Sequence, residues 1–288
     1  MYAHGPAPEK ARVNEPRSWL FVPADSEKKI AKAIESEADA LIFDLEDSVA
    51  PASKARAREI VRALPKRTGG PQWWVRINPL GSEHLKSDLE LIGVADLHGI
   101  VLPKAESGAD VTQLAHRTGN IPIHAIVTET AASLFGLLSY RDPKSPLAAM
   151  SWGAEDLSAA LGAASKLDAN GELSFTYKLA RSLCLAGAVA AGVQPVDGVF
   201  ADFRDDNGLR QEAEAARREG FTGKLAIHPA QVAVINAAFT PSADEIAHAQ
   251  AIVAAFEEQP AAGVLAVGGK MVDRPHLVQA QRLLARAS

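Results

Sequence analysis

The chain has 288 residues, of which 47% are apolar and 23% charged, and 30 Lys and Arg against 35 Asp and Glu give a formal net charge of −5. This composition supplies a full globular core and excludes a disordered, collagen-like or coiled-coil chain. The acidic balance argues against a nucleic-acid partner, since phosphate neutralisation requires a basic face, and a single cysteine, Cys184, excludes an intrachain disulfide and a cysteine-rich zinc site.

Residues 1–16 are polar and contain three prolines, so they predict an irregular or disordered arm and not a signal peptide. The most apolar stretch, Leu183–Val193, is too short for a membrane span. We therefore expect a cytoplasmic protein with no membrane partner.

Eight short apolar runs recur along the chain and predict strands. They are continuous rather than alternating, as strands buried on both faces of a parallel sheet are. The runs are Ser18–Val22, Ala40–Phe43, Trp73–Ile77, Gly99–Leu102, Ile123–Val127, Ala149–Trp152, Asp197–Phe200 and Lys224–Ile227.

Amphipathic or Ala-rich segments separate these runs and predict helices. The segments are Ser26–Glu37, Ser53–Leu64, Glu83–Ile92, Ala109–Thr118, Ala131–Tyr140, Phe175–Ala191, Leu209–Glu219 and Pro229–Ala238. Eight strand–helix units predict a (β/α)8 TIM barrel over residues 17–240, with an open doubly wound sheet as the rival. Residues 241–288 predict a C-terminal helical extension, which has no core of its own and must pack on the barrel or on a neighbouring subunit.

A barrel places its chemistry at the carboxyl ends of its strands. The residues that follow the predicted strands are rich in carboxylates, with one Arg and one Lys among them. They include Asp25, Asp44, Glu46, Asp47, Arg76, Asn78, Lys104, Glu129, Glu155, Asp156, Asp202, Asp205, Asp206 and His228. Charged residues gathered in one mouth indicate a binding site.

Glu129 and Asp156 follow neighbouring strands, and one or two carboxylates with water and substrate are how Mg²⁺ is usually held. Helix capping is the alternative role for both. Asp44, Glu46 and Asp47 are open to three roles: further ligands, acceptors that support the ligands, or a cap for the helix after Pro51.

Arg76 lies inside an apolar run, which favours either a substrate carboxylate or enolate oxygen, or an ion pair with Glu46 or Asp47. Acidic neighbours raise the pKa of a lysine, so Lys104 fits an electrostatic role better than a Schiff base. Phe21, Trp152 and Leu157 either line a substrate pocket or belong to the barrel core.

Several nucleotide and protease signatures are absent from the sequence. It contains no GxGxxG after a strand, no GxxxxGK[ST], no HExxH and no GxSxG. Dinucleotide binding, P-loop nucleotide binding, zinc proteolysis and serine hydrolase chemistry therefore lose support.

Seven motifs occur in a fixed order that resembles the citrate lyase β-subunit-like family, which includes malyl-CoA and citramalyl-CoA lyases. The motifs are RSWLFVPA (17–24), DLEDSV (44–49), VRIN (75–78), VLPK (101–104), ETA (129–131), GAEDL (153–157) and AIHP (226–229). The resemblance runs from Arg17 to the C-terminus.

The resemblance implies a TIM barrel, Mg²⁺ and reversible carbon–carbon cleavage of a 3-hydroxyacyl-CoA thioester. It makes Glu129 and Asp156 the metal carboxylates and Arg76 the substrate arginine, with Glu46 and Asp47 as supporting catalytic residues. Arg17, Phe21 and Lys104 lie in its motifs and are candidate substrate-binding residues.

The tail GGKMVDRP (268–275) is similar to the extension of the CoA-thioester lyases, in which an Asp at the position of Asp273 reaches a neighbouring subunit's site. This implies a homotrimer or homohexamer. After ETA the chain reads ASLFG (132–136), where many relatives have an Arg or a Gly soon after the motif, and this departure leaves the substrate open.

The sequence is also compatible with two other functions. A CoA-thioester hydrolase would use the same metal site, and a citrate lyase β-chain-like subunit would act on a substrate bound to an acyl carrier.

Overall fold

The computed structural model describes residues 15–67, 69–142 and 144–287, so most of the predicted N-terminal arm lies outside the described residues. Eight parallel strands close into a barrel in chain order, β1 pairing with both β2 and β8. They are β1 Ser18–Pro23, β2 Ala40–Asp44, β3 Gln72–Arg76, β4 Gly99–Leu102, β5 Ile123–Ile126, β6 Leu147–Ser151, β7 Gln194–Asp197 and β8 Gly223–Ala226. The predicted TIM barrel is confirmed, and the open sheet is excluded because β8 closes on β1.

Helices follow the strands and cover the outside of the barrel. They are α1 Glu27–Ile34, α2 Lys54–Arg62, α3 Leu85–Leu89, α4 Gly108–Thr118, α5 Ser133–Gly136, α6 Ala154–Ala160, α7 Phe175–Ala191, α8 Asp206–Glu219, α9 Ala230–Phe239, α10 Ala243–Glu258 and α11 Arg274–Ala287. Two 3₁₀ turns, Pro51–Ser53 and Leu137–Tyr140, add to them. Within the described ranges, no helix combines the length and apolarity that a bilayer crossing requires.

Local sequence explains where several helices begin and end. Ser107 and Ser242 form capping boxes that satisfy the first amides of α4 and α10. Gly192 and Gly220 adopt left-handed conformations and end α7 and α8, which a residue with a β-carbon does less readily.

The core has two layers, because each strand is buried on both faces. The inner layer fills the barrel with Trp19, Ile42, Trp74, Val101 and their neighbours. The outer layer packs the strands against the helices. This arrangement explains the continuous apolar runs and leaves the strand tips as the place where charged side chains can gather.

The seventh strand starts three residues earlier than the sequence predicts. It spans Gln194–Asp197 and not Asp197–Phe200, and Pro195 lies inside it. A proline lacks the amide donor of a strand residue, yet the carbonyl of Pro195 still accepts the amide of Thr222 at 3.0 Å. Asp197 therefore ends the strand instead of beginning it.

The C-terminal extension contains a hairpin in addition to the predicted helical structure. A hairpin of β9 (Val264–Val267) and β10 (Lys270–Asp273) separates α10 from α11, and it turns at Gly268 and Gly269, both at positive φ. The extension also has a small apolar cluster, which includes Ile252, Phe256 and Val272. The expectation that it has no core of its own is therefore wrong, because the hairpin supplies a partner face for α10.

Candidate active site at the barrel rim

Charged residues from five consecutive strand ends meet at one rim of the barrel. Asp44 ends β2, Arg76 ends β3, Lys104 follows β4, Glu129 follows β5, and Asp156 lies in the first turn of α6. All strands are parallel, so their carboxyl ends share this rim.

Arg76 is fixed by two carboxylates and an aromatic ring. Its Nε and Nη2 donate to the two oxygens of Asp44 at 2.7 and 2.6 Å, and its Nη1 lies 2.9 Å from Oε2 of Glu46. The guanidinium lies over the Phe21 ring, 4.7 Å from its centroid. Such a paired, stacked guanidinium has one preferred orientation.

Lys104 links three acidic side chains. Its Nζ lies 2.5 Å from Glu46 Oε1, 3.3 Å from Asp47 Oδ2 and 3.2 Å from Asp156 Oδ1. These carboxylates come from the β2 loop and α6, so the ammonium holds two separate parts of the rim together.

Glu129 is buried, and its carboxylate accepts the backbone amide of Lys104 at 2.5 Å. Gly153 gives it room, since a β-carbon there would lie 2.8 Å from Glu129 Cγ. A larger residue at position 153 would displace the glutamate.

The rim carboxylates differ in their ionisation. Burial raises the pKa of Glu129 to about 8, and the nearby charges of Asp156 and Glu46 add to the effect despite the Lys104 amide. Burial also raises the pKa of Glu46, against the opposing effects of Arg76 and Lys104. Burial acts on Asp44 in the same direction, but its bonds to Arg76 hold the pKa of Asp44 below its ordinary value.

The pKa of Lys104 is raised, because its contacts with Glu46 outweigh the opposing effect of burial. The ammonium therefore stays charged at neutral pH. This agrees with the electrostatic role predicted for Lys104 and not with a neutral amine that forms a Schiff base.

Lys54 bonds to the loop after β2 that carries Glu46 and Asp47, which we call the acidic loop. The sequence analysis did not identify this lysine. Its buried Nζ donates to the carbonyls of Leu45 and Glu46 and to Asn78 Oδ1, at 2.7, 2.8 and 2.8 Å. Asn78 in turn donates to the buried Asp88 at 2.7 Å. The available signal was the helical spacing of Lys54 with the buried residues Ala57 and Val61, which places a lysine on the apolar face of α2.

The rim can hold a divalent cation. Asp44, Glu46, Asp47, Glu129 and Asp156 bring five negative charges when ionised, against two positive charges from Arg76 and Lys104. Two carboxylates with water and substrate oxygens are a typical Mg²⁺ set. Among the described residues no group of three or more His, Cys, Asp or Glu side chains converges on one point, and the Lys104 ammonium lies among the acids as a stand-in cation.

Arg17 lies at the other end of the barrel, so its predicted place in the substrate site is wrong. It precedes β1, and its Nε and Nη2 donate to Asp39 at 2.8 and 2.9 Å while Nη1 donates to Thr240 at 2.8 Å. A residue before a parallel strand lies opposite the strand tips. Arg17 therefore ties the barrel floor to the segment after α9.

Asp273 is not brought to the rim by the contacts described within one chain. It ends β10 in the extension, where its carboxylate lies 2.5 Å from His276 Nδ1. Its catalytic role stays a prediction that requires a second subunit.

Of the three candidate pocket residues, two lie in the barrel core and one lies at the rim. Leu157 and Trp152 are buried in the outer core, and the Trp152 indole donates to Asp197 at 2.8 Å, so the core interpretation holds for both. Phe21 is partly exposed and contacts Arg76 from the inner layer. Only Phe21 faces the charged rim.

Fold and rim together define the class of this protein: a TIM barrel whose strand tips form an acidic mouth, with one arginine and one lysine among the carboxylates. Residues 17–229 match the model of the HpcH/HpaI aldolase/citrate lyase family, and residues 175–288 match that of the carbon–carbon bond lyases of the TIM-barrel fold. The chain belongs to the HpcH/HpaI aldolase/citrate lyase family, which confirms the resemblance seen in its motifs.

Individual relatives cover nearly the whole chain. A (3S)-malyl-CoA thioesterase of Cereibacter sphaeroides is 37% identical over 275 residues, which are 94% of each protein. The mitochondrial citramalyl-CoA lyase of Rattus norvegicus is 34% identical over 94% of this chain and 86% of its own. The CitE protein of Mycobacterium tuberculosis, in complex with magnesium, acetoacetate and coenzyme A, has a TM-score of 0.81 and 37% identity over 94% of this chain and 97% of its own.

Proposed function

We propose that this chain is a Mg²⁺-dependent carbon–carbon lyase that reversibly cleaves a 3-hydroxyacyl-CoA thioester, such as malyl-CoA or citramalyl-CoA, into an acyl-CoA and a 2-oxo acid. The observation that carries the proposal is the rim, where Glu129 and Asp156 lie on neighbouring units of the barrel that presents Arg76. The citramalyl-CoA lyase of the rat and the magnesium- and coenzyme A-bound CitE support the class of substrate.

Glu129 and Asp156 would hold the ion, which supplies Lewis acidity toward the substrate hydroxyl and the oxygen beside it. The hydroxyl loses its proton and becomes the carbonyl of the 2-oxo acid. The bond between C2 and C3 breaks, and its electron pair passes to the enolate of the acyl thioester.

Arg76 stabilises the developing enolate charge, since its guanidinium is already oriented by Asp44 and Phe21. Glu46 and Asp47, held by Lys104, keep the acidic loop in place beside it. Protonation of the enolate carbon completes the reaction and gives the acyl-CoA.

A thioester hydrolase is the second candidate, because the malyl-CoA thioesterase of C. sphaeroides is as similar as the lyases. In that reaction water would attack the thioester carbonyl, and the hydroxy acid would leave intact with free CoA. A β-chain-like subunit that acts on an acyl-carrier-bound substrate is the third, and it would not turn over soluble CoA esters.

Product analysis distinguishes these functions. Malyl-CoA and citramalyl-CoA are incubated with the protein in Mg²⁺ or in EDTA, and 2-oxo acid is measured as its phenylhydrazone beside free thiol. Lyase activity gives a 2-oxo acid with no thiol, only when Mg²⁺ is present. Thiol without a 2-oxo acid would replace the lyase with the hydrolase, and no product from either ester would contradict both.

We further propose that residues 17–240 form the barrel with its catalytic rim, and that residues 241–288 pack on a neighbouring subunit of a homotrimer or homohexamer. Asp273 of one subunit would then protonate the enolate in the next. Two exposed apolar residues of the hairpin support this packing, because Val264 and Met271 are 55% and 69% exposed and another subunit could cover them.

Mixed oligomers test the role of Asp273. Asp273→Asn and Arg76→Met are each expected to abolish lyase turnover alone. If the aspartate acts across subunits, unfolding and reassembling the two variants together restores part of the activity, because some sites then contain both residues. No recovery from oligomers shown to be mixed would contradict a role in the neighbouring site.

A further inference from the structure

Lys104 has an uncommon backbone conformation for its type. Its φ is 52°, and among the described residues it is the only one other than glycine with a positive φ. In this left-handed region the β-carbon crowds the following carbonyl, so long side chains rarely adopt it. Strained backbone of this kind persists where the surroundings enforce it and often marks a functional site.

The conformation lets one residue serve two carboxylates that lie on different sides of it. The backbone amide donates to Glu129 Oε2 at 2.5 Å, while the side chain extends toward Asp156 Oδ1 at 3.2 Å. Lys104 therefore touches both residues that would hold the divalent ion. It is the only described residue for which contacts to both side chains are recorded.

The two contacts have opposite consequences for a cation. The amide aims the Glu129 carboxylate and partly offsets its burial, which favours binding. The ammonium already neutralises Asp156, and it repels any second cation that approaches the same oxygens. Glu46 at 2.5 Å and Asp47 at 3.3 Å anchor the ammonium on its other side.

We infer that Lys104 is a positioning residue that limits the affinity of the metal centre: its ammonium competes with the divalent ion for Asp156, while its amide orients Glu129. The inference rests on the proposed function only in assigning the ion to Glu129 and Asp156. It explains why a charged lysine is placed beside a cation site, where repulsion would otherwise be avoided. When the divalent ion binds, it displaces the Lys104 ammonium from Asp156, and when the ion leaves, the ammonium returns.

The test measures metal affinity directly and requires no turnover. Mn²⁺ binding is titrated by electron paramagnetic resonance, and Mg²⁺ binding by competition with a fluorescent chelator, for the wild type, Lys104→Met and Lys104→Arg. Lys104→Met is expected to bind either ion at least tenfold more tightly than the wild type, because the competing charge is gone. Lys104→Arg keeps the charge and is expected to stay within about threefold.

Thermal unfolding gives a second readout. In EDTA, Lys104→Met is expected to melt below the wild type, since Glu46, Asp47 and Asp156 lose their shared cation. Added Mg²⁺ should raise its melting temperature by more than it raises that of the wild type. Lys104→Gln, which keeps a polar but uncharged side chain, repeats both measurements should the methionine variant unfold in EDTA.

The outcomes separate this inference from the proposed function. Unchanged or weaker metal binding by both Lys104→Met and Lys104→Gln would overturn the competition. A wild-type protein that binds neither Mn²⁺ nor Mg²⁺ would instead overturn the metal-dependent lyase itself.

Discussion

Two buried carboxylates at the ends of strands, Asp197 and Glu129, differ in their hydrogen-bond partners and in the direction of their pKa shifts. Asp197 at the end of β7 accepts Trp152 and Arg181 on one oxygen, each at 2.8 Å, and Lys224 on the other at 2.8 Å. Glu129 after β5 accepts one backbone amide and faces other acids. Asp197 is paired with the cations of Arg181 and Lys224, whereas the carboxylate of Glu129 bonds to a backbone amide.

The pKa shifts express the same difference. Burial acts to raise the pKa of both carboxyls, but Lys224 and Arg181 hold the pKa of Asp197 far below its ordinary value. Burial raises the pKa of Glu129 to about 8, and among the described residues no side-chain cation bonds to its carboxylate to oppose this. A buried carboxylate that is paired with cations serves the structure, whereas a buried carboxylate that lies among other acids is a candidate for ligand binding.

The largest expected effect is the loss of Glu129 and Asp156, the two carboxylates proposed to hold the metal ion. Glu129→Gln and Asp156→Asn should each lower lyase activity on the order of 10³-fold, because the ion no longer has two anionic ligands. Activity is measured by 2-oxo acid formation, and the fold by circular dichroism. Glu155→Gln is the matched control, since Glu155 precedes Asp156 in the same helical turn but pairs with Lys166. Full activity in the Glu129→Gln, Asp156→Asn double variant would show that these carboxylates do not hold a catalytic ion, and Glu129 would then not differ in function from Asp197.

The cluster of Asp197 with Arg181 and Lys224 should affect stability and not metal binding. Asp197→Asn is expected to lower the free energy of unfolding by about 3 kcal/mol, since it leaves the buried Lys224 and Arg181 with one fewer counter-charge. Denaturant unfolding measures this effect, and Mg²⁺ affinity should stay within about threefold. Glu219→Gln, which removes an exposed partner of Arg181, is the control and should cost less than about 1 kcal/mol. A large loss of Mg²⁺ affinity in Asp197→Asn would mean that the two groups are coupled.

The pH dependence of stability should have opposite signs at the two sites. For Glu129 the folded pKa of about 8 exceeds the unfolded value, so the folded state holds the extra proton and its stability falls as pH rises from about 4.5 to 8. For Asp197 the folded pKa is depressed, so its contribution is present above about pH 4 and is lost as pH falls below that.

Melting curves in EDTA between pH 3 and 9 test these signs. Glu129→Gln should remove the decline between about pH 4.5 and 8, and Asp197→Asn should reduce the loss of stability below about pH 4. An unchanged slope between about pH 4.5 and 8 in Glu129→Gln would show that the carboxyl is not protonated in the folded protein at neutral pH.

The smallest expected effect concerns the support beneath the rim. Lys54→Met removes the buried ammonium that donates to the carbonyls of Leu45 and Glu46, so the acidic loop should shift by a fraction of an ångström. We expect kcat to fall about tenfold, with Mg²⁺ affinity changed less than that. Lys54→Arg should recover part of the activity if positioning is the cause. An equal loss of kcat and of folded protein would instead assign Lys54 to stability alone.

Sequence patterns predicted the barrel and most of its rim, because both depend on local periodicity. Continuous apolar runs such as Ala40–Phe43 and Gly99–Leu102 identify strands buried on both faces, and the residue after such a run must lie at the strand tip. The motifs around Arg76, Glu129 and Asp156 added the family. Arg17 was misplaced because a motif shared with the family does not state which end of a strand each residue occupies.

By itself the sequence determined the eight strand–helix units, the order in which charged residues follow the strands and the family to which the chain belongs, since all three depend on residues close together along the chain. Only the tertiary structure decided which acids acquire a cation. Lys104 meets Glu46 58 residues away and Lys224 meets Asp197 27 residues away. Charge pairing depends on distances across the barrel, and these distances exist only after the strands have closed.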